Sequence, residues 1–319
     1  MFDGRVILVN YRTADLVRTR VRELLASEER PAEIVVVDND AGGGLPQGLE
    51  GLGAQTTWLA MPGNVGFAAA VNRGMQGLQR PLALWLNPDA CPTPGCLHGL
   101  QHTLREHPRA AVAAPALYPT DAAAPLQPSA TRRDPTWLTL LVEYGPFGRL
   151  GRRWLDAHYF LLPDPAADIS PCAAVQGACF AVRQEAWERI GSLDAERFFL
   201  YWEETDFCRR ARAAGWHVLF CHRLRCLHEG GASVEGGRQD AAAFWRSADA
   251  YFRLHRGARY AALARTLVAA GTAANLALGE AVRWWRPACR EAKAADARLL
   301  KARWRALQSL SRGGRPCAS

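Results

Sequence analysis

Residues 5–38 read RVILVNYRTADLVRTRVRELLASEERPAEIVVVD, and this stretch decides the fold class. Two apolar runs, Arg5–Val9 and Glu33–Val37, flank a segment, Thr13–Ala26, in which Leu16, Val17, Val21, Leu24 and Leu25 recur at helical spacing. Strand, helix, strand is the opening of a parallel sheet covered by helices. Both runs are apolar without alternation, as strands buried on both faces are. The stretch therefore predicts an α/β fold with a mostly parallel, Rossmann-like sheet and helices on both faces.

The same grammar continues outward. After a break at Gly42–Gly44, Thr56–Ala60 reads as a third strand, followed by the turn Pro62-Gly63-Asn64 and a helix over Gly66–Leu78. Leu82–Leu86 is a fourth strand ending at Asn87-Pro88-Asp89, Cys96–His107 a helix and Ala111–Leu117 a strand. Thr120–Pro171, rich in Pro, Ala, Arg and aromatics, predicts a long loop region with short helices. Regular pattern resumes with a strand at Ala174–Val182, a helix at Gln184–Ile190 and an aromatic segment at Phe198–Trp202. A helix over Glu203–Ala214, closed by Gly215, and a strand at Trp216–Cys221 follow. From Ala241 onward the chain is helical, Ala- and Arg-rich. The predicted organisation is one α/β domain over residues 1–240 and a basic helical extension over 241–319.

Composition bounds the classes. The chain has 319 residues, 49% hydrophobic and 22% charged, which suits a packed core and excludes general disorder. The start runs directly into an apolar strand with no basic leader, so no signal peptide is expected. Nine cysteines lack any CxxC pair or zinc-type spacing, which reads as reduced thiols in the cytosol. The net charge of +8 is concentrated at one end: from Arg246 onward there are 15 Lys/Arg against four acids. Such a tail suits nucleic acid, anionic lipid or a phosphorylated acceptor. No nucleic-acid motif accompanies it, so a nucleic-acid partner is not expected.

Ligands of open parallel sheets sit beyond the carboxyl ends of the strands. Four polar clusters fall there: Asn10-Tyr11, Asp38-Asn39-Asp40, Asn64 and Asn87-Pro88-Asp89. Singly, each reads as a turn; together at one edge they read as a site. Asp89 reads equally as an Asx turn or as a carboxylate that binds Mg²⁺ or Mn²⁺ jointly with a diphosphate. No GxGxxG follows the first strand and no P-loop is present, which argues against a dinucleotide site and a P-loop NTPase. Glu203, Glu204 and Asp206 follow an aromatic run at a helix start, where acids are favoured by the dipole and where apolar neighbours can tune a general base. His228, in HEGGAS, is a second metal-ligand candidate.

Taken in order, VILVNYRTADLV, IVVVDND, PGNVGFAAAVNRGM, LWLNPDA, the long stretch from VQGACF to RRARAAGWHV, and HEGGAS resemble the family 2 glycosyltransferases of the GT-A fold. The resemblance is narrower to their bacterial rhamnosyltransferase-like branch and covers most of residues 5–235. It implies an inverting transferase that moves a sugar, best guessed as rhamnose from dTDP-rhamnose, to a glycan or lipid-linked acceptor for cell-surface polysaccharide. In its terms, residues 1–118 form the nucleotide-sugar half and 119–240 the acceptor half. Asp38 would bond the nucleobase. Asn10, Asn39, Asn64, Gly66 and Asn87 would line the nucleoside and diphosphate pocket. Asp89 would be the remaining acid of the metal motif, with His228 completing the Mg²⁺ or Mn²⁺ site. Gly177 and Ala178 would pack near the sugar and acceptor. Glu204 would be the base, with Glu203 the alternative. A nucleotidyltransferase, or an inactive nucleotide-sugar or carbohydrate-binding relative, are the competing readings.

Ala261–Val282 is apolar with an uncharged run of 14 residues, Thr266–Gly279, too short by itself to span a bilayer. RWWRP and KARWR follow, alternating Arg and Trp as interfacial segments do. The extension therefore reads either as a peripheral anchor on the inner face of the cell membrane or as a hairpin packed on the protein or on a homodimer partner.

Overall fold

The computed structural model describes residues 1–40, 55–119, 130–145, 148–162, 164, 166–229, 240–285 and 290–311. The glycine break at 42–44, most of the first third of 120–171, the HEGGAS residues after Glu229 and part of RWWRP lie outside them.

The opening stretch forms β1 (Phe2–Asn10), α1 (Ala14–Ala26) and β2 (Pro31–Asp38), the strands parallel with Asn10 opposite Asp38. β3 (Thr56–Ala60), α2 (Phe67–Met75), β4 (Leu82–Leu86), β5 (Ala90–Pro92), α3 (Cys96–Glu106) and β6 (Ala110–Tyr118) follow. After β7 (Thr131–Arg132) come α4 (Trp137–Tyr144), α5 (Gly148–His158), β8 (Ile169–Pro171), β9 (Ala174–Val175) and β10 (Cys179–Arg183). α6 (Gln184–Ile190), α7 (Glu203–Ala213), β11 (His217–His228), α8 (Ala241–Arg256), α9 (Ala258–Trp285) and α10 (Arg290–Ser311) complete the chain.

The main sheet has the order β3-β2-β1-β4-β10-β6-β11-β5, with β8 on β11. It is mostly parallel; β10, β5 and β8 run antiparallel to their neighbours. Side chains alternate between the two faces, and each face has its own core. Val6, Leu8, Ile34, Val36 and Leu84 pack with Val17 and Val21 of α1 and Leu100 of α3. Ile7, Val35, Val37 and Trp85 pack with Val71 of α2 and Phe207 of α7. Trp85 stacks on Phe180 with ring centroids 4.3 Å apart and meets Phe207 edge-on.

Two expectations change. The single strand read at Ala174–Val182 is two: β9 pairs with β7 in a separate two-stranded sheet, and the chain crosses at Gln176–Ala178 before β10 enters between β4 and β6. The strand read at Trp216–Cys221 continues to His228. Between Cys221 and Arg225 it bulges by three residues against β6, and its end then pairs with β5, His228 opposite Ala90. The bulge is tied down by His222, which bonds Asp164 N and Ser170 Oγ at 2.8 Å each, and by Leu224 lying over Gly99.

Contacts divide the chain into two units, residues 1–133 with 160–238, and 134–159 with 239–319. The first holds the main sheet. In the second, α4, α8, α9 and α10 pack together around Leu140, Trp245, Phe252, Val268 and Leu307. Here the uncharged 14-residue run lies within an unbroken 28-residue helix. By length and composition Ala258–Leu278 is apolar enough to cross a membrane, with mean hydropathy 1.3. Its one interior cation, Arg265, is neutralised by Asp249 at 2.9 Å.

Candidate active site

All the expected site residues lie in the first unit. The carboxyl ends of β1 and β2 bring Asn10 and Asp38 side by side, and Asn10 Nδ2 donates to Asp38 Oδ1 at 2.8 Å. Asn10 Oδ1 in turn accepts from Thr13 N, which starts α1. Asp38 and Asn39 are buried, at 1% and 2% exposure. Asn39 reaches across to the turn before α2: Val65 N donates to its Oδ1 at 2.9 Å, and its amide meets Asn64 Oδ1 at 3.0 Å. Asn10 thus bonds Asp38, and Asn39 bonds Asn64, along this edge.

Gly66 closes this turn with φ 86° and ψ 164°, a region open essentially to glycine. A Cβ there would stand 2.4 Å from the Phe199 carbonyl oxygen. That oxygen accepts from Phe67 N at 2.8 Å, so the aromatic segment is fastened to the start of α2. Tyr201 and Trp202 then both adopt positive φ, 67° and 72°, before α7 begins. Neighbouring bulky residues in the left-handed region store strain, and here the strain turns the chain into the acidic helix start.

At that start the two acids differ. Glu204 pairs with Arg132 of β7 at 2.7 Å, and the same guanidinium holds Thr205 Oγ1 at 2.6 Å. Glu203 is 5% exposed, and among the described residues its Oε2 has no hydrogen-bond partner. Burial, and then the charge of Glu204, push the Glu203 carboxyl well above its usual 4.5. Asp206 is fully buried and holds Arg210 at 2.7 Å, a structural pairing within the helix. Gly177 faces Glu204 where a side chain would otherwise stand, 3.7 Å from its Cβ and Cγ.

On the other side of the crossover, Asn87 N donates to Ala178 O at 2.9 Å, tying the Asn-Pro-Asp turn to the Gly177-Ala178 segment. Asp89 and His228 are both buried, and Asp89 Oδ1 lies 3.6 Å from His228 Nε2. Burial lowers the His228 pKa, with Asp89 and Glu229 opposing, which keeps a ring nitrogen lone pair available. One carboxylate oxygen and one imidazole nitrogen converging in this way suit Mn²⁺ or Mg²⁺, provided a ligand supplies further oxygens. Among the described residues no third His, Cys, Asp or Glu joins the pair.

Residues 5–191 match the model of glycosyl transferase family 2. The chain belongs to that family. It is accordingly a glycosyltransferase, with Glu203, Glu204 and His228 beyond the matched residues. This family 2 chain is 27% identical over 236 residues, 70% of its length and 75% of the relative's, to N-acetylglucosaminyl-diphospho-decaprenol L-rhamnosyltransferase of Mycobacterium tuberculosis. It is 26% identical over 232 residues to the low-salt glycan biosynthesis hexosyltransferase Agl10 of Haloferax volcanii, covering 71% of this chain and 67% of that one. Solved structures share the GT-A fold. A mannosyltransferase of Pyrobaculum calidifontis in complex with GDP-Man and Mn²⁺ superposes with TM-score 0.55 at 16% identity, over 96% of this chain and 86% of that one. GalNAc-T7 with UDP, GalNAc and Mn²⁺ gives 0.58 at 13% identity; the match covers 78% of this glycosyltransferase and 47% of GalNAc-T7.

Arg132 is the site residue that sequence reasoning missed. It lies in the weakly periodic 120–171 stretch, and only the pairing of β7 with β9 brings it to α7.

Proposed function

We propose that the chain transfers a sugar, rhamnose from dTDP-rhamnose, to a hydroxyl of a glycan or lipid-linked acceptor with inversion, in cell-surface polysaccharide synthesis. The observation that carries this is the buried Asp89–His228 pair, 3.6 Å apart, on one sheet edge with the Asn10–Asp38 pair and the Glu203-Glu204 helix start. The name of the mycobacterial relative supports rhamnose and a diphospho-lipid acceptor.

In this reading Asp38 receives the nucleobase, and Asn10, the Asn39–Asn64–Gly66 turn and Asn87 receive the nucleoside diphosphate. Asp89 and His228 would hold Mg²⁺ or Mn²⁺, which when bound would offset charge on the leaving diphosphate. Glu204 takes the proton of the acceptor hydroxyl as its oxygen attacks the anomeric carbon from the face opposite the departing nucleotide. Arg132 fixes the rotamer of Glu204, and Gly177 leaves room beside it. Glu203, whose carboxyl burial pushes up, is the weaker candidate for the base. A single displacement inverts the anomeric centre and needs no covalent intermediate. The enzyme works in the cytoplasm, at the inner face of the membrane where a lipid-linked acceptor lies.

The test is a donor screen by released nucleotide with Mn²⁺ or Mg²⁺, repeated in EDTA. Release of dTDP only with metal and acceptor supports the reading. Full activity in EDTA removes the metal assignment, and release of pyrophosphate would make the protein a nucleotidyltransferase. No turnover of any donor would place it among inactive relatives. Glu204→Gln should lower kcat by about 10²-fold or more; unchanged turnover moves the base elsewhere.

A further inference from the structure

Among the described residues, the second unit leaves one helix face uncovered. Along α9, Ala261, Ala264, Val268 and Thr272 are buried, and Arg265 turns inward to Asp249. Leu263, Thr266, Ala270, Ala274 and Leu278 recur at helical spacing on the other side, and all are exposed. Leu263 is 48% and Leu278 57% exposed. The Thr266 hydroxyl donates to the Ala262 carbonyl at 2.9 Å, so the polar member of this row bonds its own helix. Only 28% of the most apolar 18-residue window is buried. A helix normally hides such a row.

Two exposed cations stand at the start of that row. Arg259, exposed, stands one turn before Leu263 on the same face, with Arg256 exposed at the end of α8. From Arg246 to the C-terminus, 15 Lys/Arg face four acids. A second copy would bring the same excess of positive charge against it, whereas an anionic surface complements it.

We propose that the exposed row of α9 inserts, lying in plane, into the interface of an anionic lipid bilayer, with the flanking cations at the headgroups. In-plane docking follows from the other side of the helix. That side is packed on α4, α8 and α10 and carries the Arg265–Asp249 ion pair, which a spanning helix would have to strip and bury in hydrocarbon. Apolar insertion and headgroup attraction act together in such helices. The inference deepens the proposed function, on which it rests for its purpose, by naming the surface that brings the enzyme to a lipid-linked acceptor.

The full-length protein is floated with vesicles of phosphatidylcholine and with vesicles of equimolar phosphatidylcholine and phosphatidylglycerol. Binding is expected to the anionic vesicles only and to fall with added salt. Leu263→Glu with Leu278→Glu, both at exposed positions, should lower partitioning by roughly tenfold for each leucine from lost apolar insertion. An unchanged thermal midpoint shows that the variant folds. Equal flotation of variant and parent overturns the proposal, as does absence of vesicle binding. A variant that turns a dimer into a monomer, with no dependence on vesicles, assigns the face to self-association instead. Metal-dependent nucleotide release with a soluble acceptor is measured in parallel. If it persists while flotation fails, only the docking surface is wrong; if it fails while flotation persists, only the transferase reading is.

Discussion

Glu203 and Glu204 are adjacent in sequence and opposite in environment, and their chemistry follows from that contrast. Glu203 has its folded-state pKa raised by burial first and by the Glu204 charge second. As pH rises above the usual 4.5, the unfolded chain releases this proton before the folded protein does, so stability is lost through that window. Glu203→Gln should therefore raise the thermal midpoint at about pH 8 and converge with the parent at about pH 4. Equal midpoints at all pH values would show that Glu203 is solvated. Arg132 lies under the opposite acid. Arg132→Gln strands a buried carboxylate and should cost about 3 kcal/mol in urea unfolding, with part of the loss returned when Glu204→Gln is added. Additive losses would mean the 2.7 Å pair is not coupled. The sequence made the acids legible, since a run of aromatics before three carboxylates marks a helix start. It left Arg132 illegible because nothing in the local pattern of Thr131-Arg132 announces a two-residue strand.

At the scale of elements, the turn from Asn64 into α2 joins the nucleotide edge to the acidic helix. Gly66→Ala there meets both a forbidden backbone region and the Phe199 carbonyl, and should cost about 3 kcal/mol or more. Since Phe199 leads directly into Tyr201 and Trp202, turnover should fall beyond what the lost stability explains. An alanine variant with the parent's unfolding curve would contradict the close approach of 2.4 Å. The parallel β1–α1–β2 start, the β4 edge and the helices over 96–106 and 203–213 were readable because burial on two faces or one imposes its own periodicity. The split of 174–182 was not, because Ala174–Val175 and Cys179–Val182 are equally apolar and differ only in which sheet they join. Partner choice is a tertiary property that no single-strand pattern carries.

At the scale of the whole molecule, the sheet's two cores also sequester six of the described thiols. Of the seven described cysteines, all are free, Cys91 is half-exposed and the other six are buried. Burial raises Cys172 to about 11 and Cys221 to about 12, so neither is a thiolate near neutrality. Iodoacetamide should label Cys91 well ahead of these six in the native protein, and reducing agent should leave the thermal midpoint unchanged; a drop on reduction would reveal a disulfide. The reading of reduced thiols rests on the cysteine spacing together with the expected absence of a signal peptide. The three-residue bulge of β11 has a consequence for how such a protein changes over time. His228 meets Asp89 because residues 222–224 bulge out of register before the strand resumes opposite β5. Removing one of them would slip the resumed strand by a residue and swing the imidazole to the opposite face of the sheet. The site is thus bound to the length of the bulge and to His222 and Leu224, which tie it down. Descendants of this chain should vary in letters at Arg223, whose side chain is exposed, while gaps and insertions are excluded at 222–224.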